Sequence, residues 1–133
     1  MVPSFDSAPV KVSEALPKRR RLRARAEFQK VYAEGQRYNG RLLAAFLRRN
    51  EVAEHRLGVT ASTKAIGNSV ERNRAKRLLR EVFRRSAVEL MALGQTYDWV
   101  LNAKRSLLDS DEEHRFREFR KIIAQVTQAE RLK

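Results

Sequence analysis

Residues 56–85 read RLGVTASTKAIGNSVERNRAKRLLREVFRR, and their periodicity changes part-way along. Over 56–64 the residues alternate: Leu57, Val59 and Ala61 take one face, and Gly58, Thr60, Ser62 and Lys64 take the other. That is the period of a strand, with one face for a core and one offering hydroxyls and an ammonium. Residues 65–69, AIGNS, read as a loop. Beyond them the period becomes helical. At about 100° per residue, Ala75, Leu78, Leu79, Val82 and Phe83 fall on one arc. Arg72, Asn73, Lys76, Arg77, Arg80 and Arg84 fall on a neighbouring one. Asn68 or Ser69 stands where a cap belongs, and Glu71 follows Asn68 at capping-box spacing. The helix is expected to run to about Leu93, with Gly94 as its stop.

Seven of residues 67–85 are Arg or Lys, and only Glu71 and Glu81 are acidic. Arg72, Lys76, Arg80 and Arg84 are four apart, where like charges repel by a few tenths of a kcal/mol per pair. A solvated helix usually alternates signs there. Arginine forks, by contrast, grip phosphate oxygens at two points. The whole chain of 133 residues carries a net charge of +13, with a pI of about 11.0. Such a charge opposes compaction unless a polyanion screens it. Nucleic acid is the first candidate partner and an anionic membrane surface the second. The plain alternative is a charged solvent face. A helix-turn-helix would need a short helix just before this one; the alternating segment stands there instead, which disfavours a duplex-DNA regulator.

Working outward, 42% apolar content suits one domain with a modest core. Residues 1–17 hold all three prolines and no apolar period, and are expected to be a flexible tail ahead of a single domain over 18–133. KRRRLRAR (18–25) is a cationic run. Residues 26–34 predict a short helix with Phe28, Val31 and Tyr32 on one face and Gly35 as its stop. Residues 41–49 and 97–104 predict strands. Residues 109–130 predict a last helix, capped by Asp109 or Ser110, with Phe116, Phe119, Ile122, Ile123 and Val126 as its stripe. The order of elements points to an α+β sandwich or split βαβ.

Protein-borne catalysis finds no support. There is no cysteine, and His55 and His114 lack metal-like partner spacing. No run approaches the roughly 20 apolar residues of a membrane span, and no signal-peptide apolar region opens the chain, so a cytoplasmic protein is expected. Phe28, Tyr32 and Phe46 are core by default. Alternatively, they line a groove where unpaired bases stack, with Thr60, Ser62 and Lys64 adding polar contacts.

The segment ERNRAKRLLREVFR closely resembles the signature of the protein subunit of bacterial ribonuclease P. RLGVTASTKAIGNSV, RLRARAEFQKVYAEG and YDWVLNAKR resemble that family's central strand and loop, first helix and last strand, in matching order over about residues 20–125. The resemblance implies a compact α-β sandwich with a small sheet, three helices and a left-handed βαβ crossover, against the usual hand. It implies an accessory subunit of a ribonucleoprotein endoribonuclease. There the catalytic RNA uses Mg²⁺ to remove the 5′ leader of precursor tRNA, and the protein binds both that RNA and the leader. No obligate protein partner is implied. By position, Arg72, Asn73, Arg74, Lys76, Arg77, Arg80 and Lys64 resemble the RNA-facing set. Phe28, Tyr32 and Phe46, with Thr60 and Ser62, resemble the leader cleft. Two positions depart from the family pattern: Thr63 replaces one of two paired lysines, and Asn102 stands where the last strand is usually aliphatic. A general basic RNA-binding protein of ribosomal type is the alternative reading.

Overall fold

The alternating segment is a strand and the cationic segment a helix in the computed structural model, which describes residues 16–132. The helices are α1 (Arg25–Glu34), α2 (Ser69–Arg85), α3 (Ala87–Met91) and α4 (Glu112–Arg131). The strands are β1 (Gln36–Asn39), β2 (Leu43–Arg49), β3 (Arg56–Thr60) and β4 (Tyr97–Ala103). They form one sheet in the order β1-β2-β4-β3. β2 pairs antiparallel with β1 and β4, while β3 lies parallel to β4 and reaches it through α2 and α3. The α+β class is borne out. Most of the expected tail lies outside the described residues, but Leu16, within it, is packed in the main core.

The apolar run of β2 is covered on both faces, as expected of an interior strand. On one face Leu43, Ala45 and Leu47 join Trp99 and Leu101 of β4 against the stripes of α2 and α4. Trp99 lies edge-on to Phe119 at 5.5 Å and is fully buried. On the other face Val31 of α1 packs with Val100 and Leu22, flanked by the half-buried Phe28 and Phe46. Four boundaries differ from expectation. β1 was not expected, because Gln36, Arg37 and Asn39 carry no apolar alternation; it exists through its pairing with β2. β3 ends at Thr60, so Ser62 and Lys64 belong to the following loop and turn. The helix expected to reach Leu93 breaks at the buried Ser86, so four α-helices form among the described residues rather than three. There the Oγ donates to the Val82 carbonyl at 2.8 Å and competes with the amide ladder. Asp111, rather than Asp109 or Ser110, caps α4 by accepting from His114 N–H.

Two buried polar groups tie the layers together. Asp98 of β4 is 4% exposed and takes both forks of Arg56 at 2.8 Å, plus the Asn50 amide at 2.8 Å. His55 is a structural imidazole. Its Nδ1 accepts from Trp99 Nε1 at 3.1 Å and from Tyr97 N–H at 3.2 Å, leaving Nε2 to donate to the Leu90 carbonyl at 3.0 Å. Burial pushes its pKa down, and the nearby Arg20 adds to that against the opposing hydrogen bond to Leu90 and the charge of Glu130. The unfolded chain therefore takes up this proton first. Stability is expected to be full above the ordinary histidine value near 6.5 and to fall as pH drops through it. Thermal melts at pH 7.5 and 5.5 check this, since the depressed carboxylates Glu27, Glu34, Glu54, Glu71 and Asp111 act only at lower pH.

Candidate nucleic-acid interface

The amphipathic reading of α2 holds. Ala75, Leu79, Val82 and Phe83 are buried, and Leu78 packs against them. Asn68 caps the helix, its Oδ1 accepting from Glu71 N–H at 2.9 Å. The cations of α2 divide into three groups. Arg84 and Arg85 near the C-terminal end are paired with Glu81 and Glu112. Arg72 and Arg74 carry no carboxylate partner among the described residues, but each is anchored to backbone. Arg72 Nη1 donates to the Gly67 carbonyl at 2.8 Å and to Thr63 Oγ1 at 3.1 Å; Arg74 Nη1 donates to the Leu108 carbonyl at 3.2 Å. Gly67 holds a φ of 127°, a region a side chain rarely enters, so the loop that receives Arg72 needs glycine there. Lys76, Arg77 and Arg80 make no ion pair or side-chain hydrogen bond among the described residues, and Asn73 is exposed beside them.

Lys76 and Arg80 reach the β3 edge of the sheet, where the layers of α1 and α2 meet. They line a 220 Å³ pocket with Phe28, Gly58, Leu22 and Arg21. Desolvation, then the charge of Arg21, push the Arg80 guanidinium below the ordinary arginine range. An anion between the two arginines would relieve that repulsion. Gly58 makes room for the Phe28 ring: a Cβ there would stand 2.5 Å from Phe28 Cζ. Further along the same face Tyr32, 40% exposed, meets Phe46 edge-on at 4.9 Å, and the Arg37 guanidinium lies 5.6 Å from the Phe46 ring centre. Tyr32 Oη and Thr60 Oγ1 both donate to Asn102 Oδ1, at 3.0 and 2.7 Å. The structure thus brings Phe28, Tyr32, Phe46 and Thr60 onto one face beside the unpaired cations. Ser62 and Lys64 are exposed in the loop between β3 and α2, where Ser62 Oγ accepts from Ala65 N–H.

A family model described as Ribonuclease P matches residues 16–127. The chain belongs to the ribonuclease P protein family. It is 36% identical to the ribonuclease P protein component of Coxiella burnetii over 80% of this chain and 84% of that one. It is 42% identical to that of Clostridium botulinum over 71% and 82%. The Staphylococcus aureus RNase P protein structure, 25% identical, covers 80% of this chain and 94% of that one with a TM-score of 0.66. The Thermotoga maritima RNase P protein, at 24% identity, shares the fold with a TM-score of 0.68 over 79% and 96%. Arg21, Arg37 and Asn102 also stand on this candidate face, and sequence reading did not assign them to it. Arg21 stood inside a run already marked as cationic. Asn102 was visible as a polar residue at an inward strand position.

Among the described residues, no three His, Asp or Glu gather as metal ligands, and no helix is long and apolar enough to cross a membrane.

Proposed function

We propose that this protein acts in the cytoplasm, holds the catalytic RNA of ribonuclease P through the cations of α2, and lays the 5′ leader of precursor tRNA across the face between α1 and α2. Hydrolysis of the phosphodiester belongs to the RNA, which would supply it with Mg²⁺. The protein's own groups bind and orient. Arg72, Asn73, Arg74, Lys76, Arg77, Arg80 and Lys64 meet phosphate. Phe28, Tyr32 and Phe46 offer faces to unpaired bases, and Thr60 and Ser62 add hydroxyls. The observation that carries this reading is the shared pocket: Phe28 lines it together with Lys76 and Arg80, which have no carboxylate partner among the described residues. Aromatic faces beside such cations suit a single strand better than a duplex.

The test is cleavage of a precursor tRNA at low Mg²⁺ by a bacterial ribonuclease P RNA, with and without the protein. Restored cleavage at the mature 5′ end is expected. Salt-sensitive RNA binding with no gain in cleavage would favour a general RNA-binding protein instead. A Phe28→Ala, Tyr32→Ala double variant is expected to weaken binding of leader-bearing tRNA by roughly tenfold to a hundredfold, from about 1–3 kcal/mol per stacked base, and mature tRNA far less. Equal weakening of both would remove the cleft from the reading.

A further inference from the structure

Arg74 stands on the flank of α2 opposite Lys76, about 200° round the helix, and so faces α4 rather than α1. Arg115, half-buried near the start of α4, reaches the same turn as Arg74. Its Nη1 donates to the Ser110 carbonyl at 2.6 Å, two residues beyond the Leu108 carbonyl that takes Arg74 Nη1 at 3.2 Å. Each guanidinium is therefore fixed at one corner. The Nε and Nη2 groups of both have no partner among the described residues. The carboxylates nearby are taken: Glu81 pairs with Arg84, Glu112 pairs with Arg85, and Asp111 holds the ring and the amide of His114. Burial, then the charge of Arg74, push the Arg115 guanidinium below the ordinary arginine range, with Asp111 and Glu81 opposing. Holding the Ser110 carbonyl needs one neutral N–H donor, not a second cation beside Arg74. A phosphate between the two fixed forks would relieve their repulsion and take up the free N–H groups.

Resting on the reading that α2 holds the catalytic RNA, we propose that Arg74 and Arg115 together grip one backbone phosphate of that RNA, so that its binding surface crosses α2 and continues onto α4, on the flank away from the leader cleft.

The test titrates the full chain against ribonuclease P RNA, without tRNA, by filter binding over about 0.1–1 M salt, with a thermal melt of each variant. Arg115→Gln removes the charge and keeps an amide donor for Ser110. It is expected to lower the slope of log K against log salt by about 0.7–0.9, so that its affinity deficit grows about five- to eightfold between 1 M and 0.1 M salt. The Arg74→Ala, Arg115→Gln double variant is expected to lose less than the two single variants added together, because both side chains grip one phosphate. An unchanged slope in Arg115→Gln would overturn the proposal even if Tm falls, since Arg115 would then only hold the turn. Strictly additive losses would overturn the shared grip. A slope that changes only when leader-bearing tRNA is added would give the site to the leader and overturn the proposal as well. If Arg115→Gln does not fold, Arg115→Lys keeps the charge without the fork. Its slope is expected to stay and its affinity to fall at every salt concentration; unchanged affinity would overturn the proposal. The triple alanine variant of Lys76, Arg77 and Arg80 separates this proposal from the reading beneath it. If that variant binds the RNA like the wild type, the assignment of α2 falls and this proposal with it. If it binds weakly while Arg115→Gln binds like the wild type, only the proposal about Arg115 falls.

Discussion

Replacing Lys76, Arg77 and Arg80 together by alanine is expected to flatten the salt dependence of binding to ribonuclease P RNA, lowering the slope of log K against log salt by about two to three. Each neutralised phosphate contributes about 0.7 to 0.9 to that slope. The affinity deficit of the triple variant should therefore grow by about a hundredfold or more between 1 M and 0.1 M salt. No protein group competes for these three among the described residues, whereas Arg84 and Arg85 are paired with Glu81 and Glu112. Arg72 and Arg74 are a different case. Each spends part of its guanidinium on a backbone carbonyl, so their removal also loosens the loop before α2 and the turn at Leu108. A filter-binding titration at several salt concentrations gives the slopes, and a thermal melt separates the two groups. The triple variant is expected to melt like the wild type or slightly higher, since like charges are removed. Arg72→Ala and Arg74→Ala are expected to lose stability. An unchanged slope in the triple variant would leave that face merely solvated.

The parts of the fold legible in the sequence are those fixed by local rules. Leu57 and Val59 alternate with Gly58 and Thr60, and the first pair packs on the main core, while Gly58 is buried as well, beneath the Phe28 ring. The stripe of α2 and its cap at Asn68 were likewise readable within a few residues. What could not be read depends on partners distant in the chain. Gln36–Asn39 are a strand because Leu47 to Ala44 lie opposite them. The break at Ser86 depends on a hydroxyl buried by tertiary packing, with nothing local to mark it. The site shows the same division. The cationic arc of α2 is a matter of helical spacing, but which cations are free depends on carbonyls and carboxylates far away in sequence, such as Leu108 and Glu112. Phe28, Tyr32 and Phe46 were recognisable as a set through family resemblance. Only the sheet register shows that Asn102 and Thr60 stand side by side beneath Tyr32.

Arg56→Ala is expected to destabilise the fold by about 3 kcal/mol, near the lower end for a broken buried pair, and to lower Tm by on the order of 10 °C. The partner left behind is the reason. Asp98 is 4% exposed, and without Arg56 its charge keeps only the Asn50 amide. The lower end applies because the Arg56 side chain is itself 23% exposed, so water reaches part of the site. Replacing both partners with apolar residues, Arg56→Met with Asp98→Leu, is expected to cost far less, because neither charge then remains buried. A double-mutant cycle by thermal or urea melts measures the difference. Equal losses in the single and double variants would mean that packing, rather than the stranded charge, sets the cost. The same pair bears on the cleft. Arg56 Nη1 lies 3.6 Å from Glu27 Oε2, and that carboxylate also accepts the N–H groups of Arg23 and Ala24 at the start of α1. Asp98 lies on the same face of β4 as Val100 and Asn102, so the pair fixes the start of α1 to the strand that carries the cleft floor. Loss of leader selectivity in Arg56→Ala is therefore expected to appear as the temperature approaches the lowered Tm, whereas loss in Phe28→Ala, Tyr32→Ala is expected at every temperature.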